Sequence, residues 1–142
     1  MDTRDRGDRW LRTVGFGLLA EVLTVLTIIA IVMAYRYLFA RGMSDGDYAA
    51  FGFQTGRVVG TVGGALFTFV SAWLLMPRLS RRFVEHGVVV AVAAIAFSVG
   101  GSIAGHKGVP AGYPLASALK LAAGALAGVL YSRSISRNRN AV

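Results

Sequence analysis

The sequence predicts an all-α integral membrane protein: a bundle of four transmembrane helices with short loops and both termini on the cytoplasmic side. Three observations carry this. Hydrophobic residues make up 55% of the 142 positions and charged residues only 15%, where water-soluble domains carry about 25% charge. The apolar residues fall into four runs of about 20 residues, the length that crosses a hydrocarbon core of about 30 Å. The basic residues lie between those runs and favour one side.

In chain order, a basic tail over residues 1–12 leads into a first span at 13–39, a second at 51–76, a third at 87–105 and a fourth at 114–132, before a basic tail at 133–142. The first span follows a basic start, as a signal peptide would. Its apolar run is about twice the usual length for such a signal and no small-x-small cleavage site follows closely, so it is expected to stay. Pro77 follows the second span, and Pro114 opens the fourth, where its missing N–H does no harm. The longest connection, Arg41 to Ala50, contains Asp45 and Asp47 and has room for local structure.

Orientation follows from the basic residues. Arg4, Arg6, Arg9, Arg12, Arg78, Arg81, Arg82, Arg133, Arg137 and Arg139 lie on one side, and Arg36, Arg41 and Lys107 on the other. Ten against three places the first group in the cytoplasm, against anionic lipid of a cell (inner) membrane. Trp10 and Trp73 mark the inner interface; Tyr35, Tyr37, Phe39, Tyr48, Phe51, Phe53 and Tyr113 mark the outer one.

Composition also limits the chemistry. There is no cysteine, hence no disulfide, thiolate metal site or thiol nucleophile. Two histidines, His86 and His106, supply a metal site poorly. No cofactor or metal is expected. The net charge of +8 sits beside apolar runs without an aromatic-interleaved basic face, so no nucleic-acid partner is expected. Nucleophile–base, HExxH and GxxxxGK[ST] patterns are all missing from the sequence, which predicts a protein that is not an enzyme. His106-Lys107-Gly108 reads as a solvated turn, and His86 beside Glu85 as an interfacial residue.

Membrane helices associate through small residues that let backbones approach and through polar side chains that find partners. In span two, Gly52, Gly56, Gly60 and Gly64 recur every four residues, and Gln54, Arg57, Thr61, Gly64, Thr68 and Ser71 form an overlapping row within about 60° of Arg57. The sequence therefore predicts one small, polar face along all of span two, at the centre of the bundle. Span three has a similar face through Gly87, Ala91, Ala94, Ser98, Gly101, Ser102 and Gly105. Span four has Ala116, Lys120, Ala123, Gly124 and Ala127, and span one has Gly17, Glu21 and Thr24.

Three ionisable residues lie within the spans: Glu21, Arg57 and Lys120. Arg57 and Lys120 are expected at similar depth, each about 9 Å below the outer boundary, with Glu21 about 12 Å from the inner one. A centred charge costs about 2.5 to 3.5 kcal/mol against about −0.3 to −0.6 for each Leu, Ile, Phe or Val. The strongly apolar residues of span four sum to roughly −3 kcal/mol, which barely offsets Lys120. Three roles stay open: snorkelling cations with a paired Glu21; an outward pocket in which Arg57 and Lys120 hold an anion or lipid phosphate; or Glu21 as a protonatable group in a transport path.

Size, helix count and a glutamate in the first span resemble, at the coarsest level, the small multidrug resistance transporters. Arg57, Lys120 and the ten-to-three bias depart from that pattern, and no family is assigned. The functional expectation is a small polytopic packing or accessory component that uses its glycine-rich faces within itself, in a homo-oligomer or against another membrane protein. The alternative is a small transporter or channel.

Overall fold

The computed structural model describes residues 3–79, 81–105 and 112–139, with side chains described over 10–79, 81–105 and 112–137. Helix α1 (Thr3–Ala34) is prolonged by a π-helical turn, Tyr35–Phe39. The second rod is assembled from α2 (Asp45–Val58), a π-helical turn (Val59–Gly63), α3 (Gly64–Leu75) and a 3-10 turn at Met76–Arg78. Helices α4 (Phe83–Ala104) and α5 (Tyr113–Arg139) complete the chain. These four rods are each long and apolar enough to span a membrane.

Much of the connection from Arg41 to Ala50 is helical, and Ser44 explains why. Its hydroxyl accepts the Asp47 N–H at 3.3 Å and donates to the Asp47 carboxylate at 2.7 Å. Asp45 and Asp47 then sit in the first turn, where the helix dipole favours negative charge.

Register contacts fix the topology. Thr13 lies beside His86, and Gly17 beside Val90 and Ala94, so α1 and α4 run parallel. Gly87 meets Gly124 and Val84 meets Gly128, so α4 and α5 run antiparallel. Both chain ends therefore leave from one end of the bundle, the terminal end, opposite the far end. Helix α1 packs on α3 and α4, and α5 packs on the same two, which sets α1 and α5 facing each other across the middle.

Packing differs sharply between the two ends. The terminal half holds the core of Ala72, Leu75, Met76, Val90 and Ala127, with Phe16, Phe69, Phe83 and Tyr131 packed against it. Small residues there bring backbones into contact. A Cβ on Gly87 would lie 2.1 Å from the Gly124 carbonyl oxygen, one on Gly124 2.2 Å from that of Gly87, one on Gly17 2.5 Å from that of Val90, and one on Gly128 2.6 Å from the Val84 Cα. The far half is different. A Cβ on Gly56, Gly60, Gly100 or Gly101 would meet nothing within 4 Å, and one on Gly52 only Val32 Cγ2 at 3.8 Å. Among the described residues, burial stops after Thr24 on α1 and after Ala94 on α4, and on α5 it starts at Lys120.

The continuous polar face expected along span two is thus broken, and the π turn is the reason. In an uninterrupted α-helix Arg57 and Gly64, seven residues apart, point within about 20° of each other. The wider turn at Val59–Gly63 takes up an extra residue and rotates the rest of the rod by roughly 100°. Gly64, Thr68 and Ser71 turn into the bundle and are buried, while Gln54 and Arg57 stay exposed.

Candidate functional site

At the boundary between the closed and open halves sits one ion pair. Lys120 Nζ donates to Glu21 Oε2 at 2.6 Å, with the two side chains 4% and 9% exposed. The pair spans the middle of the bundle, from α1 to α5. Lys120 reaches it because side chains in a helix lean toward the N-terminus, and the N-terminus of α5 is at the far end.

Gly64 makes the space. A Cβ there would lie 2.7 Å from Lys120 Cε and 3.5 Å from its Nζ, so the lysine stem lies against bare helix backbone. The neighbouring hydroxyls are occupied locally: Thr24 donates to the Ala20 carbonyl at 2.8 Å and Thr68 to that of Gly64 at 2.7 Å. They bend back on their own helices and leave the two charges to each other.

Two charges taken out of water are stable together and costly apart, because removing one leaves the other buried without a counter-charge. The match is nevertheless incomplete. An ammonium has three donors and a carboxylate two acceptor oxygens, yet among the described residues the only hydrogen bond of Glu21 is made through Oε2. Because no buried side-chain oxygen or nitrogen among the described residues lacks a partner, the free Oε1 keeps some accessible surface.

The structure therefore separates the cations that the sequence grouped. Lys120 joins Glu21, whereas Arg57 is exposed on α2 and makes no hydrogen bond or ion pair among the described residues. A two-cation pocket of Arg57 with Lys120 is not formed, because the π turn faces Gly64 toward Lys120 and rotates Arg57 away. Of the residues expected to face inward, Gly64, Thr68 and Gly124 are buried; Gly56, Gly60, Thr61, Ser98 and Ser102 are half-buried; Gln54 and Gly101 are exposed.

A second polar contact lies nearer the terminal end. His86 is buried, its Nδ1 2.9 Å from Thr13 Oγ1, and its ring stacks on Trp10 at 4.5 Å between centroids. The reading of His86 as an interfacial residue beside Glu85 did not include these two contacts. The sequence carried a signal for Thr13, since it lies four residues before Gly17 and eight before Glu21, on the same face of α1. At the far end, Tyr113 Oη donates to the Ile95 carbonyl at 2.8 Å and ties the start of α5 to α4. His106, Lys107 and Gly108 lie outside the described residues.

Among the described residues no three His, Asp or Glu side chains are grouped to hold a metal ion. No protein family, curated protein or solved structure matches the chain.

Proposed function

We propose that this chain is a multi-pass protein of a cell membrane that works without catalysis, as an accessory or assembly component. Its terminal half is a self-contained scaffold, and its far half offers the α1–α2 hairpin to another membrane protein. The observation that carries this reading is the split among the glycines. Gly17, Gly87, Gly124 and Gly128 of the terminal half are consumed by contacts within the chain, while Gly52, Gly56 and Gly60 line a helix face with room for another backbone.

Membrane placement is supported by the four long apolar helices and by their many exposed Leu, Ile, Val and Phe side chains, which would form a very large apolar surface in water. The basic excess at the terminal end supports cytoplasmic termini and contact with anionic lipid there.

The test is photocrosslinking in intact membranes from position 53, where Phe53 is 65% exposed beside the open glycines, with Leu74 in the terminal half as the comparison. The expected result is a discrete protein adduct from position 53 that Gly60→Leu abolishes, and lipid adducts alone from position 74. Lipid adducts alone from both positions would sink the assembly reading.

One observation favours transport as a second reading: Glu21 keeps an accessible oxygen beside a buried counter-charge. Proton flux into proteoliposomes, followed with an entrapped pH dye and lost in Glu21→Gln, would support it. A tight vesicle, indistinguishable from one carrying the Glu21→Gln protein, would eliminate it.

A further inference from the structure

We infer that the face of the second rod formed by Phe53, Gly56 and Arg57 of α2 and Gly60 of the π turn receives a transmembrane helix of another protein, one that carries a carboxylate level with Arg57. This rests on the assembly reading above and adds the chemistry of the partner.

At about 100° per residue, Phe53, Gly56 and Arg57 fall within one arc of about 100° on α2, centred away from buried Thr55, and Gly60 follows in the π turn. The two glycines supply a groove without side chains. Arg57 stands at its edge, exposed and with no counter-charge among the described residues. An arginine within an apolar span is costly until it finds an anion.

Three sources of that anion can be compared. A second copy of this chain is a poor one. Glu21 is the only acid inside the four apolar spans, and it is held by Lys120. Pairing through this face would bring one Arg57 toward another with nothing between them. A lipid headgroup is the weaker source: Arg57 lies six residues, about 9 Å, below the outer boundary expected from the sequence, so a phosphate there would draw the side chain up and away from the groove beside Gly56 and Gly60. A carboxylate on a partner helix in the same groove meets Arg57 at its own depth, with close backbones to exclude lipid and a charge-assisted hydrogen bond to set register.

The test uses the full-length protein, donor-labelled in phosphatidylcholine vesicles, with acceptor-labelled synthetic Leu/Ala transmembrane peptides bearing a single Glu or Gln at the matching depth. The Glu peptide is expected to associate about tenfold more tightly than the Gln peptide, and Arg57→Leu to remove that preference. Arg57→Glu is expected to transfer the preference to a Lys peptide. Arg57 contacts nothing polar among the described residues, so these variants keep the fold, and an intact thermal transition checks this. Equal association of the Glu and Gln peptides, or a Glu preference that survives Arg57→Leu, overturns the proposal. So does Arg57-dependent retention of added phosphatidylglycerol in native mass spectra without any Glu preference, which assigns the arginine to lipid phosphate. A protein adduct from position 53 without Glu preference leaves assembly standing and removes the acidic partner. Glu preference without such an adduct shows what the groove can bind but removes the assembly reading, and the partner helix proposed here falls with it.

Discussion

Lys120 reaches across the bundle to Glu21, 99 residues earlier in the chain, and closes a 2.6 Å ion pair against the bare backbone of Gly64. The three residues come from three helices, and each depends on the other two. Gly64 without Lys120 is a void; Lys120 without Glu21 is an uncompensated charge in the core.

That dependence predicts strong non-additivity. Glu21→Ala and Lys120→Ala should each destabilise the fold by about 3–5 kcal/mol, because each strands a buried charge. Glu21→Leu combined with Lys120→Met, which removes both charges and keeps volume, should cost far less than the two single changes summed. Equilibrium unfolding in mixed micelles measures all of these proteins. Additive losses would show that the charges do not act as a pair.

Gly64→Ala should couple to Lys120. The added methyl meets the lysine stem first, at 2.7 Å from Cε. Its cost should shrink when Lys120 is already Ala, with an interaction energy on the order of 0.5–3 kcal/mol. The same unfolding measurement on the double-mutant cycle reads it, and an unchanged cost in both backgrounds would refute the contact.

The glycines should divide by position. Gly87→Ala and Gly124→Ala drive a methyl into a facing backbone that cannot step aside, and each should cost at least about 1–3 kcal/mol. Gly56→Ala and Gly60→Ala meet open space, so helix propensity should make them neutral or stabilising by about 0.5–1 kcal/mol. Sequence pattern alone implies that Gly60→Leu disrupts folding or assembly; the open surroundings of Gly60 predict a folded protein that loses only docking. Thermal stability of the purified variants decides this.

Thr13→Val should lower stability by about 1 kcal/mol, the usual net worth of a buried hydrogen bond, and alter Trp10 emission through the stacked His86 ring. Unchanged stability and emission would mean that α1 docks on α4 without help from this contact.

How far the candidate site was legible depends on the distance over which helical periodicity holds. Within α1, α4 and α5 the period is unbroken, so the small and polar sides through Gly17–Glu21–Thr24, Gly87–Ala91–Ala94 and Lys120–Gly124–Ala127 could be read directly, and these residues are buried; the continuation of the α4 side through Ser98, Gly101, Ser102 and Gly105 is half-buried or exposed, because the bundle is open there. In the second rod the period fails at one turn. Nothing in Val59–Gly63 announces a π turn, since glycine, valine and threonine fit an ordinary membrane helix equally well. Every facing inferred across that turn was therefore rotated, so the row through Gln54, Arg57, Gly64, Thr68 and Ser71 does not share one side; Arg57 and Lys120 were grouped by expected depth, which says nothing of facing.

The sequence by itself determined the number and apolar character of the long helices, because run length and composition alone decide what could cross a hydrocarbon layer; their ends differ, since the helices run on into the polar flanks at Thr3, Asp45 and Arg139. It also determined that Glu21, Arg57 and Lys120 need explaining. Which of them would meet was decided only by the tertiary structure. An ion pair needs contact within a few ångströms, and that depends on the stagger of four rods and on a single turn of non-standard pitch, neither of which is encoded in hydropathy. The same stagger closed one half of the bundle with backbone contacts and left the glycines of the other half facing open space.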